Sequence, residues 1–287
     1  MNTQASPSET RPTKKRMSTG QRLLFFLVAW LICLMPFLFW WNTWFGRPLD
    51  DKQLTEYLHD EKKPRHIQHA LVQIGERMAK KDPGVQQWYP DLVRLAGHHN
   101  EEVRNTDAWV MGQDTNASNF HQALLQMLND PSPIVQGNAA LSLVRFGDPS
   151  GRAQIVALLQ PARVVAPSAG RVSDASAAGT VIHQGGIIAR LEADGKTTEV
   201  RSPISGRLQL ATASGRMVSA GDEIATVTPS VEQAWEALRA LYLIGQMDDL
   251  PAIHPYERAT RDVPDHVREQ AVLTEKAIRE RAAGGNK

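Results

Sequence analysis

The chain has one cysteine and almost no net charge, and each shortage excludes something. Cys33 is the single thiol in 287 residues, so neither an intrachain disulfide framework nor a thiolate metal site can be built. The 32 basic and 31 acidic residues leave a formal charge of +1, and no basic stripe occurs outside the N-terminal tail, which argues against nucleic acid as a partner. No Gly-x-Ser-x-Gly elbow and no phosphate-binding loop with its lysine occurs in the chain. Gly185-Gly186 and its neighbouring glycines suit turns and bulges better than a phosphate cradle. The sequence thus assigns no catalytic residue and no cofactor, and the expectation is that the protein is not an enzyme.

What is present begins with an internal repeat. Ala166-Pro167-Ser168-Ala169-Gly170-Arg171-Val172 returns 36 residues later as Ser202-Pro203-Ile204-Ser205-Gly206-Arg207-Leu208. At the same offset Gly179 matches Gly215, Gly185 matches Gly221, and Ile188-Ala189 matches Ile224-Ala225. Two ungapped copies of one supersecondary unit are expected.

Between the copies lies Leu191-Glu192-Ala193-Asp194-Gly195-Lys196, followed by Arg201-Ser202-Pro203-Ile204-Ser205-Gly206. On these residues, 161–230 resembles the biotinyl/lipoyl-carrier family, a small all-β barrel-sandwich hybrid. The resemblance implies a lysine at the hairpin tip that is acylated by biotin or lipoate. Here Gly195 stands at that position and Lys196 comes one residue late, a slip that redirects the side chain. An ordinary Asp-Gly turn followed by a solvated lysine is the expectation. The unmodified barrel also resembles that of the membrane-fusion-protein family of periplasmic adaptors, which implies efflux or secretion partners. Those proteins insert a long helical hairpin, for which 193–198 has no room.

The flanking segments, 46–160 and 231–281, have the pattern of paired short amphipathic helices ended by Gly, Pro, Asn or Asp. Ala139, Leu143 and Gly147 fall four apart, as do Ile67, Leu71 and Gly75, and Ala237, Leu241 and Gly245. Such triples share one helix face and let a neighbour approach closely. Asn100-Glu101-Glu102-Val103-Arg104, Ser132-Pro133-Ile134-Val135-Gln136 and Pro264-Asp265-His266-Val267-Arg268 mark similar openings of second helices. These features resemble the HEAT-repeat family, with Asp107 and Glu275 interrupting the pattern. Residues 151–160 fit the first helix of a unit whose second helix, 231–245, comes only after the barrel, so the barrel is expected to be an insertion.

At the N-terminus, Arg11, Lys14, Lys15, Arg16 and Arg22 precede a charge-free run, 23–41. Its 19 residues span about 28 Å, close to a hydrocarbon core of ~30 Å. A transmembrane helix over 22–45 is expected, kinked at Pro36, with Trp40, Trp41 and Trp44 at the interface. Its Ser, Thr, Pro and Lys content makes 1–21 a disordered tail, and the basic flank places that tail in the cytoplasm, so a single-pass bacterial inner-membrane protein with a periplasmic bulk is expected. A cleaved signal peptide is disfavoured by the bulky Trp-rich end. Residues 282–287 are expected to fray.

The expected fold class is therefore α + β: one transmembrane helix, a HEAT-like helical array, and an inserted barrel. The expected function is a non-catalytic, membrane-anchored scaffold or adaptor. It would bind protein subunits of an inner-membrane complex, such as a transporter, and the bilayer through 23–41. The alternatives are a biotin or lipoate carrier modified at Lys196, or a periplasmic adaptor of an efflux or secretion transporter. Lys196, Ile204, Arg207, Trp88 and Trp109 are the candidate partner contacts. His66 and His69 on one helix face, with His98 and His99 closing another, leave a histidine metal site geometrically open, but no carboxylate matches them and no metal is assigned.

Overall fold

The computed structural model describes residues 19–42, 48–210, 212–260 and 263–284, without the side chains of Gln21, Arg22, Cys33, Leu210 and residues 36–42. The chain divides into two units, Met1–Leu49 and Asp50–Lys287.

In the first unit, helix α1 covers Thr19–Asn42. The expected transmembrane helix is not borne out: among the described residues no helix is long and apolar enough to cross a membrane. The side chains of Pro36, Trp40 and Trp41 lie outside the described residues, as do Trp44 and the tail 1–18. The inner-membrane location, the cytoplasmic N-terminus and the periplasmic bulk all rest on that span and are withdrawn with it.

In the second unit, short helices alternate in pairs: α2 (Asp51–Leu58) with α3 (Pro64–Ala79), α4 (Tyr89–Leu95) with α5 (Glu101–Met111), and α6 (Ser118–Met127) with α7 (Pro133–Arg145). Next, α8 (Arg152–Ala157) packs on α9 (Val231–Ile244), although the whole barrel separates them in sequence. Last, α10 (Leu250–Ile253) packs on α11 (Asp265–Gly284), which carries helix through 282–284 where fraying is expected. The second helices stack in the order α3, α5, α7, α9, α11.

Local chemistry sets where these helices start. Asp50 and Gln53 form a reciprocal capping box on α2, Asn100 Oδ1 accepts the Val103 N–H on α5, and Ser230 Oγ accepts the Gln233 N–H on α9. Each cap satisfies a backbone donor that has no partner inside its helix. The stacking buries Ile67, Leu71, Ala139, Leu143, Ala237 and Leu241 completely. Gly75 and Gly245 sit in that stack, but Gly147 lies beyond the end of α7 with a φ of +74°, so it turns the chain rather than admitting a neighbour. Hydroxyls join successive second helices: Ser142 donates to the Ala108 carbonyl at 2.8 Å and Thr274 to the Leu238 carbonyl at 3.0 Å. Arg104 of α5 reaches Asp130 before α7 with two bonds, at 2.6 and 2.9 Å, which fixes the spacing of two neighbouring pairs.

The inserted strands are β1 (Ala162–Val165), β2 (Gly170–Ala175), β3 (Val181–Ile182), β4 (Ile187–Ala193), β5 (Lys196–Arg201), β6 (Gly206–Leu210), β7 (Met217–Val218) and β8 (Glu223–Pro229). They form two four-stranded antiparallel sheets, ordered β1-β8-β6-β3 and β5-β4-β2-β7. Advancing every label of the first sheet by four positions around the cycle of eight gives the second. The 36-residue sequence repeat is thus a two-fold repeat of structure. Its bonds repeat as well: the Gly179 N–H donates to the Leu208 carbonyl at 2.7 Å, and the Gly215 N–H to the Val172 carbonyl at 2.6 Å. Alternating residues fill the space between the sheets, among them Val172, Ile188, Leu191, Leu208, Ile224 and Val227. This core is continuous with that of α7, α8, α9 and α11. At the junction the Ser205 N–H donates to Gln233 Oε1 of α9 at 3.3 Å, and Arg201 faces Glu102 of α5 at 3.7 Å.

Candidate functional site

At the β4–β5 hairpin, Asp194 and Gly195 have φ of 51° and 72°, so both central residues of the two-residue turn are left-handed, as in a type I′ turn. Ala193 pairs with Lys196, which makes Lys196 the first residue of an edge strand rather than a residue of the tip. Lys196 is exposed, as are all residues from 192 to 199.

The other predicted contacts do not gather into one surface. Ile204 is 4% exposed inside the barrel, and its carbonyl accepts the Ser202 hydroxyl at 2.6 Å. Arg207 is exposed, but its guanidinium is engaged with the Gly179 carbonyl at 2.9 Å. Trp88 is 1% exposed; its indole N–H donates to Thr55 Oγ1 at 3.0 Å and Arg77 lies over its ring at 5.6 Å. Trp109 is 44% exposed and shields the helix face at Gly75. Ile204 and Trp88 are therefore packing residues, while Lys196, Arg207 and Trp109 remain accessible at separate places.

His66, His69 and His98 are more buried than helix periodicity alone suggests, while His99 is exposed. His66 stacks on Tyr57 with ring centroids 4.1 Å apart, and its Nδ1 lies 2.7 Å from Asp60. Burial first, and then His66, hold the His69 imidazole below its ordinary range. Glu61 comes together with His98 and His99, but His98 is already committed. Its Nδ1 faces the Asn100 N–H at 3.0 Å, which leaves the proton on Nε2, and Nε2 lies 2.8 Å from Glu61 Oε2. A cation at Nε2 would force that proton onto Nδ1 and break both the Asn100 and the Glu61 bonds, so this cluster is a structural brace.

An exposed apolar surface of the array lies on α9. Ala234, Ala237, Leu238 and Leu241 bury one side of this helix, and Trp235, Arg239 and Tyr242, spaced four and three apart, emerge on another. The Arg239 guanidinium sits 4.7 Å above the Trp235 ring, and His266 of α11 meets that ring edge-on at 6.4 Å. With Leu141 and Val144 of α7, these residues and Leu243 line a groove of about 480 Å³. Leu243, 59% exposed, also lines an adjoining groove of about 520 Å³ with Met247, Ile278 and Arg281. Sequence reasoning uses Ala237, Leu241 and Gly245 to fix the buried face of α9; the residues rotated away from those positions are the signal for this surface.

A second group forms where a 3-10 turn, His254–Tyr256, leads into Glu257 and meets α11. Arg279 holds Glu275 through Oε1 at 2.6 and 2.5 Å, and Glu275 Oε2 faces His254 Nε2 at 3.9 Å. Burial first, and then the neighbouring Glu275, push the Glu257 carboxyl up to about 7. The hydrogen bond from Glu257, followed by Arg279, keeps Glu275 below the usual carboxylate range.

No protein-family model and no curated protein matches the chain. Among solved structures, the chain is similar to one described as a single-chain, multi-domain long-chain acyl-CoA carboxylase, at 17% identity and a TM-score of 0.24. That likeness covers 43% of this chain and 14% of the other, so the chain spans a small part of that protein's length, and a score this low carries no argument.

Proposed function

We propose that the protein is a non-catalytic scaffold that binds a protein partner on its helix-pair array, with the α9 groove as the docking surface and the unmodified barrel as a second one. The observation that supports this reading is the placement of Trp235, Arg239 and Leu243 along one groove, with Leu243 also lining a second groove and Tyr242 exposed on the same helix. Trp, Tyr and Arg dominate binding energy at interfaces because each buries a large area while keeping a polar handle. Stacked helix pairs extend such a surface without any catalytic group.

The test is affinity capture by the full chain from its native source, comparing wild type with Leu243→Asp and Trp235→Ala. Both side chains are on the surface, so the fold should survive. Wild type is expected to recover a partner at near-equal stoichiometry and both variants to lose it. Recovery of nothing by wild type, or of the same partner by both variants, overturns the reading.

The register of Lys196 bears on the carrier alternative. An intact mass of the native protein is expected to show no biotinyl or lipoyl addition; such an addition at Lys196 would restore the carrier reading and displace the scaffold.

A further inference from the structure

We infer that His254, Glu257 and Glu275 form a binding site for a divalent transition-metal cation of the Zn²⁺ type. The three residues come from two elements. His254 and Glu257 are three apart where the 3-10 turn runs out, a geometry in which positions i and i+3 stand above one another. Both then face Glu275 on α11, and one ligand atom from each lies within 4.8 Å of the other two. A point equidistant from atoms that far apart is about 2.8 Å from each. Closure by less than about 1 Å therefore reaches the ~2.0–2.2 Å of zinc–nitrogen and zinc–oxygen bonds.

The donor atoms are also available. Glu257 Oε1 is shut off from solvent and has no hydrogen-bond partner among the described residues, while the carboxyl as a whole shares a hydrogen bond with Glu275 whose proton the cation would replace. The two bonds from Arg279 fall on Glu275 Oε1, so a cation at Oε2 displaces the proton shared with Glu257 and leaves the Arg279 pair in place. At 3.9 Å the separation between His254 Nε2 and Glu275 Oε2 is too long for a hydrogen bond, unlike the 2.8 Å pairing of His98 with Glu61. His254 is 44% exposed, which leaves a path of entry. One imidazole and two carboxylates make a borderline donor set, matched to Zn²⁺ or Co²⁺ rather than to Ca²⁺. Three protein ligands leave one tetrahedral position to water.

The experiment is titration of the chelator-treated full chain with Co²⁺, read by its visible absorption, together with thermal unfolding with and without Zn²⁺. One equivalent is expected to bind with the intense spectrum of a four-coordinate site and to raise the unfolding temperature. His254→Ala and Glu257→Gln are each expected to weaken binding by at least about 10-fold and to lose the thermal shift, while unfolding without metal as wild type does. The exposed His99→Ala is expected to bind as wild type. The absence of saturable uptake overturns the assignment, and so does uptake that survives both substitutions or is lost in His99→Ala.

Discussion

Gly206→Ala is expected to be among the most damaging single-methyl additions in the barrel. A Cβ at residue 206 would lie 1.9 Å from the Thr228 carbonyl oxygen, which belongs to the paired strand β8 and cannot swing aside as a side chain would. The two-fold mate, Gly170, faces the Glu192 carbonyl oxygen, where a Cβ would lie at 3.0 Å. Overpacking of a well-ordered core costs about 1–3 kcal/mol and sometimes more. Gly206→Ala should therefore cost about 3 kcal/mol or more, and Gly170→Ala about 1 kcal/mol. Denaturant unfolding of the full chain measures both. Equal costs would show that the tight strand crossing at β6 and β8 is not what demands glycine.

The second large effect is expected at Asp107 and has the opposite sign. This residue of α5 is 0% exposed, and neither carboxylate oxygen has a hydrogen-bond partner among the described residues. Burial pushes its carboxyl well above the ordinary value, against a smaller opposing pull from Arg94. Below the unfolded value of 3.8 both states hold the proton, and the carboxyl takes nothing from stability beyond its neutral burial. As pH rises from there toward the folded value, the unfolded chain releases the proton and the folded chain keeps it. Stability then falls by about 1.4 kcal/mol per pH unit. Asp107→Asn keeps the shape and removes the titration. It is expected to flatten the decline above pH 4 and to raise stability at pH 7 by at least about 1 kcal/mol. Unfolding curves at several pH values test this, and an unchanged pH profile in the variant would sink it.

Asp107 also shows how legibility varied along the chain. It stands out in the sequence as an interruption of the helix pattern, but only the packing of α5 reveals that the interruption is fully buried. Glu275 interrupts the pattern in the same way, yet it is half buried and serves as the partner of Glu257. Both are acids at irregular positions, and their different fates depend on which neighbours arrive from other helices. Trp88 and Trp109 make the same point. Each is a large aromatic in a helical segment, and one lies in the core while the other is exposed.

The 36-residue repeat, the Asp-Gly turn, the helix-opening caps and the pairing of segments around the barrel are legible because each depends on residues at fixed short spacing, or on self-similarity that no other feature of the chain obscures. The side chains of Asp50, Asn100 and Ser230 accept hydrogen bonds from backbone N–H groups three residues on, so local sequence suffices for them. Tertiary structure decided what depends on distance along the chain. It set the two-fold order of the sheets, buried Ile204 and exposed Trp235, Arg239 and Leu243 on α9. It brought His254 and Glu257 to Glu275. The physical reason is the range of the forces involved: turns and caps are satisfied by neighbours a few bonds away, whereas burial, carboxyl pairing and ligand geometry exist only once remote segments have packed.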